Sequence, residues 1–211
     1  MNSITRSAQG RFSTHDVKNQ ADLPIGFNAF ENDIILKNAI EREAPWAFAR
    51  CSKLGALVGS EDIQELARLA NRHNPELQTH DRFGNRVDWV NFHPAWHDLM
   101  TLAWQHEVPN LSWRTQESHP HYARAVLSYL WNQIEQGTGC PTGMAYASHA
   151  GFASEPALKI WQEKSLGTLY ENSRNEVSKK SSVVIGYAMT EKQGGSDLRE
   201  TTTTAEFSHS D

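Results

Sequence analysis

Positive charge is not in excess in this chain. Its 20 Lys+Arg face 25 Asp+Glu, a formal net charge of −5. A nucleic-acid binder usually carries a basic balance or a basic stripe, so the composition does not point to one. The densest basic stretch, Lys179-Lys180 with Arg174 and Lys164 nearby, reads as a solvated loop. Cysteine is nearly absent: Cys51 and Cys140 lie far apart among 211 residues. Such usage implies reduced thiols and a cytoplasmic setting rather than a disulfide framework. Long apolar runs are missing too. Residues 1–11 have no apolar segment of the kind that marks a secretory signal. The longest uncharged run, 136–154, holds Pro141, glycines, hydroxyls and His149, too polar a mixture for a membrane span. No metal-ligand pattern stands out. His93 and His97 share a helix face, but Pro94 occupies the position of the Glu in His-Glu-x-x-His, so the pair reads as packed or capping histidines. His119 and His121 have no third ligand in sight. There is no internal repeat.

Aromatic residues, by contrast, are present throughout. The 7 Trp argue for a packed globular body. Residues 1–32 read as a polar tail followed by an extended arm. The arm's isolated apolar residues, Val17, Leu23, Ile25, Phe27 and Phe30, can stabilise only by packing onto another surface, such as another subunit. From 33 to 182 the pattern is helical. Asp33 caps a first helix that runs to about Leu54, with a kink or break expected at Pro45. Ser60 caps a second, ended by Asn74-Pro75. Asp81 to Arg86 suggests a hairpin or loop tip, with Asp81-Arg82 as a surface ion pair. Pro94 suits the first position of a third helix, which Pro109-Asn110 ends. Ser118 is the expected cap of a fourth, with Gly137 and Gly139 closing it. A Gly/Ala/Ser-rich fifth helix covers Met144 to Phe152, preceded by Cys140 as a buried thiol. A sixth starts at Glu155-Pro156, and 164–182 reads as a linker.

Residues 183–211 change character. Val183 to Met189 is short, apolar and β-prone, and Thr201 to Phe207 is β-branched, so two strands are expected. Between them lie Gly194-Gly195 with Thr190 and Ser196 on either side. Paired glycines tolerate positive φ and close approach to a ligand, and successive amides in such a turn suit an anion. The chemistry is that of a strand-to-loop ligand cradle.

The run Met189-Thr190-Glu191-Lys192-Gln193-Gly194-Gly195-Ser196-Asp197 resembles the flavin-contacting loop of the acyl-CoA dehydrogenase family. Its Glu191-Lys192-Gln193 form is most similar to the AidB-like, alkylation-response branch of that family. Thr14-His15-Asp16-Val17-Lys18-Asn19-Gln20, Thr79 to Gly84, His93-Pro94-Ala95-Trp96-His97 and Cys140-Pro141 with Met144 also resemble that branch; Thr142-Gly143 departs from it. The resemblance implies a mainly α fold: the helical N-terminal domain of the acyl-CoA dehydrogenase fold, followed by the first strands of its middle β-barrel domain. It implies FAD as cofactor, contacted by Tyr187, Ala188, Met189, Thr190, Glu191, Lys192, Gln193, Gly194, Gly195 and Ser196. Thr190 would hydrogen-bond the flavin ring and Ser196 would reach the pyrophosphate. The catalytic carboxylate belongs to a C-terminal domain in the family, so no catalytic residue is expected here. The chain is expected to be an N-terminal piece of a longer protein, with a poorly ordered β remnant. Family membership further implies tetramers, and the AidB-like branch implies association with DNA through regions absent here. Three readings follow: a flavoprotein segment, a non-catalytic helical interaction module, and a DNA-protecting repair factor.

Overall fold

The computed structural model describes residues 14, 19, 21, 24–152 and 155–206. Helix α1 (Ile34–Glu43) starts where expected, because the Asp33 carboxylate accepts from Leu36 N at 2.9 Å. Such a cap satisfies one of the amides that a helix start leaves unpaired. Pro45 does more than kink the helix. It opens a 3-10 turn, Pro45–Ala47, and a separate α2 (Phe48–Val58) follows. Gly55 therefore lies inside α2 rather than ending it. Ser60 caps α3 (Glu61–Arg72) as predicted.

Strands β1 (Glu76–His80) and β2 (Arg86–Asn91) pair antiparallel, with Leu77 opposite Val90 and Gln78 opposite Trp89. Asp81 shapes the turn between them. Its carboxylate accepts from Phe83 N at 2.8 Å, Asn85 N at 2.9 Å and Asn85 Nδ2 at 2.9 Å, and Gly84 adopts φ 84°. The expected Asp81–Arg82 ion pair is therefore replaced by a turn clasp, and Arg82 lies over the Phe83 ring instead.

Pro94 opens α4 (Pro94–Gln105), where the His93 ring accepts from Ala95 N at 3.2 Å. A short α5 (Leu111–Arg114) follows Pro109-Asn110, too brief for periodicity to reveal. Helix α6 (Pro120–Trp131) begins at His119, not Ser118. His119 sits at φ 52° with its Nδ1 2.7 Å from Glu43 O, so a contact with α1 decides the entry of this helix. Gly139 opens α7 (Gly139–Phe152) instead of closing α6, and Cys140 is exposed rather than buried. After a 3-10 turn, Pro156–Leu158, comes α8 (Lys159–Ser165).

The core lies between α2, α4 and α6. Leu54, Leu99, Met100, Trp104, Leu127, Leu130 and Trp131 are all fully buried. Each aliphatic side chain so buried stabilises by about 1.5–3 kcal/mol. Trp131 keeps its polar end satisfied by donating Nε1–H to Thr138 Oγ1 at 3.0 Å.

Over residues 26–30 the arm finds its surface on this chain's own α2, where Gly26 N donates to Gly59 O at 2.7 Å and Ala29 N to Gly55 O at 2.9 Å. Phe30 is fully buried and meets Phe48 edge-on with ring centroids 5.2 Å apart. Val17 and Leu23 lie outside the described residues.

Over the described residues the two strands expected after residue 182 are not formed; Phe207 lies outside them. Residues 183–189 and 201–206 carry no strand, and the described part of this region has a single isolated bridge, Glu191 to Gly194. β propensity without a neighbour to pair with makes no sheet. Among the described residues, no helix is long and apolar enough to cross a membrane.

Candidate functional site

The cradle forms a closed turn on its own hydrogen bonds. Glu191 N donates to Gly194 O at 2.9 Å and Gly194 N returns to Glu191 O at 3.1 Å. The paired glycines do not serve left-handed backbone here, since Gly26 and Gly84 are the only described glycines with positive φ. Gly195 is needed for close approach instead. A Cβ on it would sit 2.7 Å from Thr190 Oγ1 and 2.8 Å from Thr190 Cγ2, while one on Gly194 would meet nothing within 4 Å.

A cavity of about 280 Å³ opens inside the turn, lined by Glu191, Gln193, Gly194, Gly195, Ser196, Asp197, Glu200 and Thr201. Its acidic groups are partly engaged. The Glu191 carboxylate accepts from Thr203 N at 2.6 Å and from Thr202 N at 3.1 Å, with Gln193 Nε2 and Thr202 Oγ1 alongside. The Thr203 side chain, then these amides, hold its pKa below the usual carboxylate range. Asp197 grips Arg199 through Oδ1 to Nε at 3.0 Å and Oδ2 to Nη2 at 3.1 Å, which lowers its pKa as well. The concavity itself is thus an acidic turn stabilised from within, not a bare nest of amides aimed at an anion.

The predicted site residues divide accordingly. Glu191, Gln193, Gly194, Gly195 and Ser196 meet around the cavity. Tyr187, Ala188, Met189 and Thr190 form the exposed approach to it, and Lys192 is exposed at the turn. The hydroxyls of Thr190 and Ser196 show no hydrogen-bond partner among the described residues, which leaves them available to a ligand. These donors and the adjacent backbone fit one edge of a flavin. They do not enclose it, because the lining comes entirely from residues 191–201. Asp197 ends the motif without having been assigned to the flavin-contacting residues, and Glu200 and Thr201 lie beyond the motif. The one local signal was Asp197 itself, whose carboxylate caps the 3-10 turn Leu198–Glu200.

The other sequence candidates resolve simply. His97 Nδ1 lies 2.9 Å from the Tyr170 hydroxyl, and His93 stacks on His73 with centroids 4.5 Å apart. His121 Nδ1 lies 3.0 Å from the Tyr146 hydroxyl. Burial pushes the Cys51 thiol up to about 12. Helix α7 approaches the cradle's root, where a Cβ on Gly186 would lie 3.7 Å from Met144 Sδ.

Comparison with known proteins gives this geometry its family. A profile described as the adaptive response protein AidB N-terminal domain matches residues 19–172, which ends before the cradle. The chain is 37% identical over 199 residues to the putative acyl-CoA dehydrogenase AidB of Escherichia coli K12, covering 92% of this chain and 37% of that protein. It is 25% identical over 184 residues to acyl-CoA dehydrogenase family member 11 of Caenorhabditis elegans, covering 83% of this chain and 29% of that protein. Among solved structures, Bd2924 in its apo form superposes with a TM-score of 0.69 at 18% identity, over 91% of this chain and 39% of that one. The Caenorhabditis elegans ACDH-11 complex with C11-CoA superposes with a TM-score of 0.67 at 22% identity, over 89% of this chain and 32% of that one. At such identities the superpositions establish the fold alone. The chain thus spans 37% and 29% of the lengths of the two curated relatives. Profile, identity and fold agree: the chain belongs to the AidB N-terminal domain family, as an AidB-like N-terminal domain of the acyl-CoA dehydrogenase type.

Proposed function

We propose that this chain is the N-terminal part of an FAD-dependent, acyl-CoA dehydrogenase-like flavoprotein, to which it contributes the flavin-contacting loop 187–196 and not the catalytic base. The observation that carries this reading is the closed turn at Glu191–Gly194, with Gly195 pressed against Thr190 and two unpartnered hydroxyls beside it. Thr190 would donate to the polar edge of the ring, with the main chain around it adding further donors, and Ser196 and the Lys192 ammonium would serve the phosphate end. Fixed donors at that edge favour electron density on a ring that is being reduced, which is how a protein tunes such a cofactor. Bound FAD would supply the hydride acceptor. Residues 187–196 bind and orient it, while the rest of its enclosure and the group that takes a substrate proton come from outside this chain.

The test is a flavin titration on this chain joined to the remaining length of the Escherichia coli relative. The fusion is expected to purify yellow, and Gly195→Val is expected to weaken FAD binding at least tenfold with the helical circular dichroism unchanged. The isolated chain should bind FAD weakly or not at all. A fusion that binds no FAD, or one whose affinity ignores both Gly195→Val and Thr190→Val, overturns the assignment.

A further inference from the structure

The 164–182 segment looks like a linker by composition, yet side-chain hydrogen bonds tie it down along its length. The Lys164 ammonium donates to Val177 O at 2.6 Å, to Ser178 O at 2.9 Å and, in a still closer contact, to Lys180 O. An ammonium has three donors and no acceptor, so this side chain is fully engaged by backbone carbonyls. Among the described residues no carboxylate takes part. Lys164 also works through its main chain, where its carbonyl accepts from Val183 N at 3.2 Å. One residue therefore ties down both ends of the 177–183 stretch.

Neighbouring bonds fix the platform on which this cage rests. Asn110 Nδ2 donates to Gly167 O at 2.7 Å, Arg114 bonds Leu166 O, and the Ser182 hydroxyl bonds Leu169 O. Gly167 permits the close approach, since a Cβ there would stand 2.5 Å from Ser182 Cβ. Ser182 and Val183 are buried as a result, while 186–190 are exposed. The flavin-loop candidate is thus an exposed arm whose root is clamped at residue 183. The seven residue-to-residue steps from 183 to 190 span about 23 Å when extended, so a small rotation at the root becomes a large displacement at Thr190.

We infer that Lys164 is the positioning residue of the cofactor loop: its ammonium, caged by the carbonyls of 177, 178 and 180, sets where residues 183–196 stand on the helical body. The inference rests on the reading of 187–196 as a flavin loop, and it extends that reading to the element that orients the loop. Lys164 does not touch the cavity. It occupies the place that a bound monovalent cation would hold among three carbonyls, which makes the clamp independent of added salt.

The experiment is amide hydrogen exchange on the full chain, comparing wild type with Lys164→Ala and Lys164→Arg. Lys164→Ala is expected to lower protection at Lys179, Lys180, Ser181 and Val183 at least tenfold, leaving α2, α4 and α6 unchanged. Adding n-propylammonium, which supplies the atoms removed, should restore protection where sodium does not. Lys164→Arg keeps the charge and should retain part of the protection. In the fusion described above, Lys164→Ala should weaken FAD binding without lowering the melting temperature of the helical body. Unchanged protection at the four amides, a loss spread evenly over the helices, or no rescue by the amine each overturns the inference. A wild-type fusion that binds no FAD removes the cofactor reading while the exchange data still decide on the clamp.

Discussion

Replacing Gly55 by Ala would ordinarily help a helix, by up to about 1 kcal/mol at an interior position. Here it should do the opposite. Gly55 lies within α2, directly under the arm, and a Cβ on it would stand 2.3 Å from Asn28 Oδ1 and 2.6 Å from both Phe30 Cβ and Phe30 N. Two of those three neighbours belong to the backbone or to the first side-chain atom, so no rotamer change relieves the clash. The arm must lift off. Lifting it exposes Phe30, which is fully buried, at about 2–3 kcal/mol. It also breaks the Ala29 N to Gly55 O bond of 2.9 Å and the Asn28 Nδ2 to Ser52 O bond of 3.0 Å, at about 1 kcal/mol each. Less the helix-propensity gain, Gly55→Ala should destabilise by about 3–4 kcal/mol. Urea unfolding followed by tryptophan fluorescence reads this as a lowered midpoint. Gly143→Ala is the control, because that glycine lies in α7 with nothing within 4 Å of a Cβ, and it should leave stability unchanged or raise it slightly. A Gly55→Ala protein within about 1 kcal/mol of wild type would refute the docking of the arm, since the loss of Phe30 burial alone exceeds that.

Three further outcomes are expected. Burial lowers the pKa values of His97, His106 and His149, so the unfolded chain takes up protons first. Their contribution to stability is complete above the ordinary histidine value of about 6.5 and declines as pH falls below it, so the urea midpoint should drop between pH 7.5 and 5.5. The Glu171 carboxylate accepts from the Ser173 hydroxyl at 2.6 Å and from the Ser181 amide and hydroxyl, which pushes its pKa down to about 2. Being depressed, it stabilises its loop above about pH 4.5 and loses that effect as pH falls toward 2, an opening that Glu171→Gln should bring to neutral pH and that exchange at the Ser181 amide would detect. Of the two thiols, exposed Cys140 should react with a disulfide reagent in the native protein and Cys51, buried with a pKa near 12, should wait for unfolding; two fast-reacting thiols would contradict the placement of α2.

Features governed by a few adjacent residues could be read from sequence alone. Asp33 and Ser60 cap their helices because a short oxygen-bearing side chain reaches the first free amides whatever lies around it. Pro45 ends α1 because its ring and missing N–H forbid continuation, and Pro94 starts α4 for the same local reason. The order of residues in 189–197 carried the family likeness with no need of coordinates. What the tertiary structure alone decided involves groups distant in the chain. Gly59 does end α2, but Gly55 lies inside it, and only the fold shows the arm passing over both, within 1.8 Å and 2.3 Å of where their Cβ atoms would be. His119 rather than Ser118 starts α6 because Glu43, 76 positions away, receives it. Val183 to Met189 has the residues of a strand and no partner, since pairing requires a second chain segment that local preference cannot supply. Lys164 looked like a solvated cation, and only folding brings three carbonyls around it.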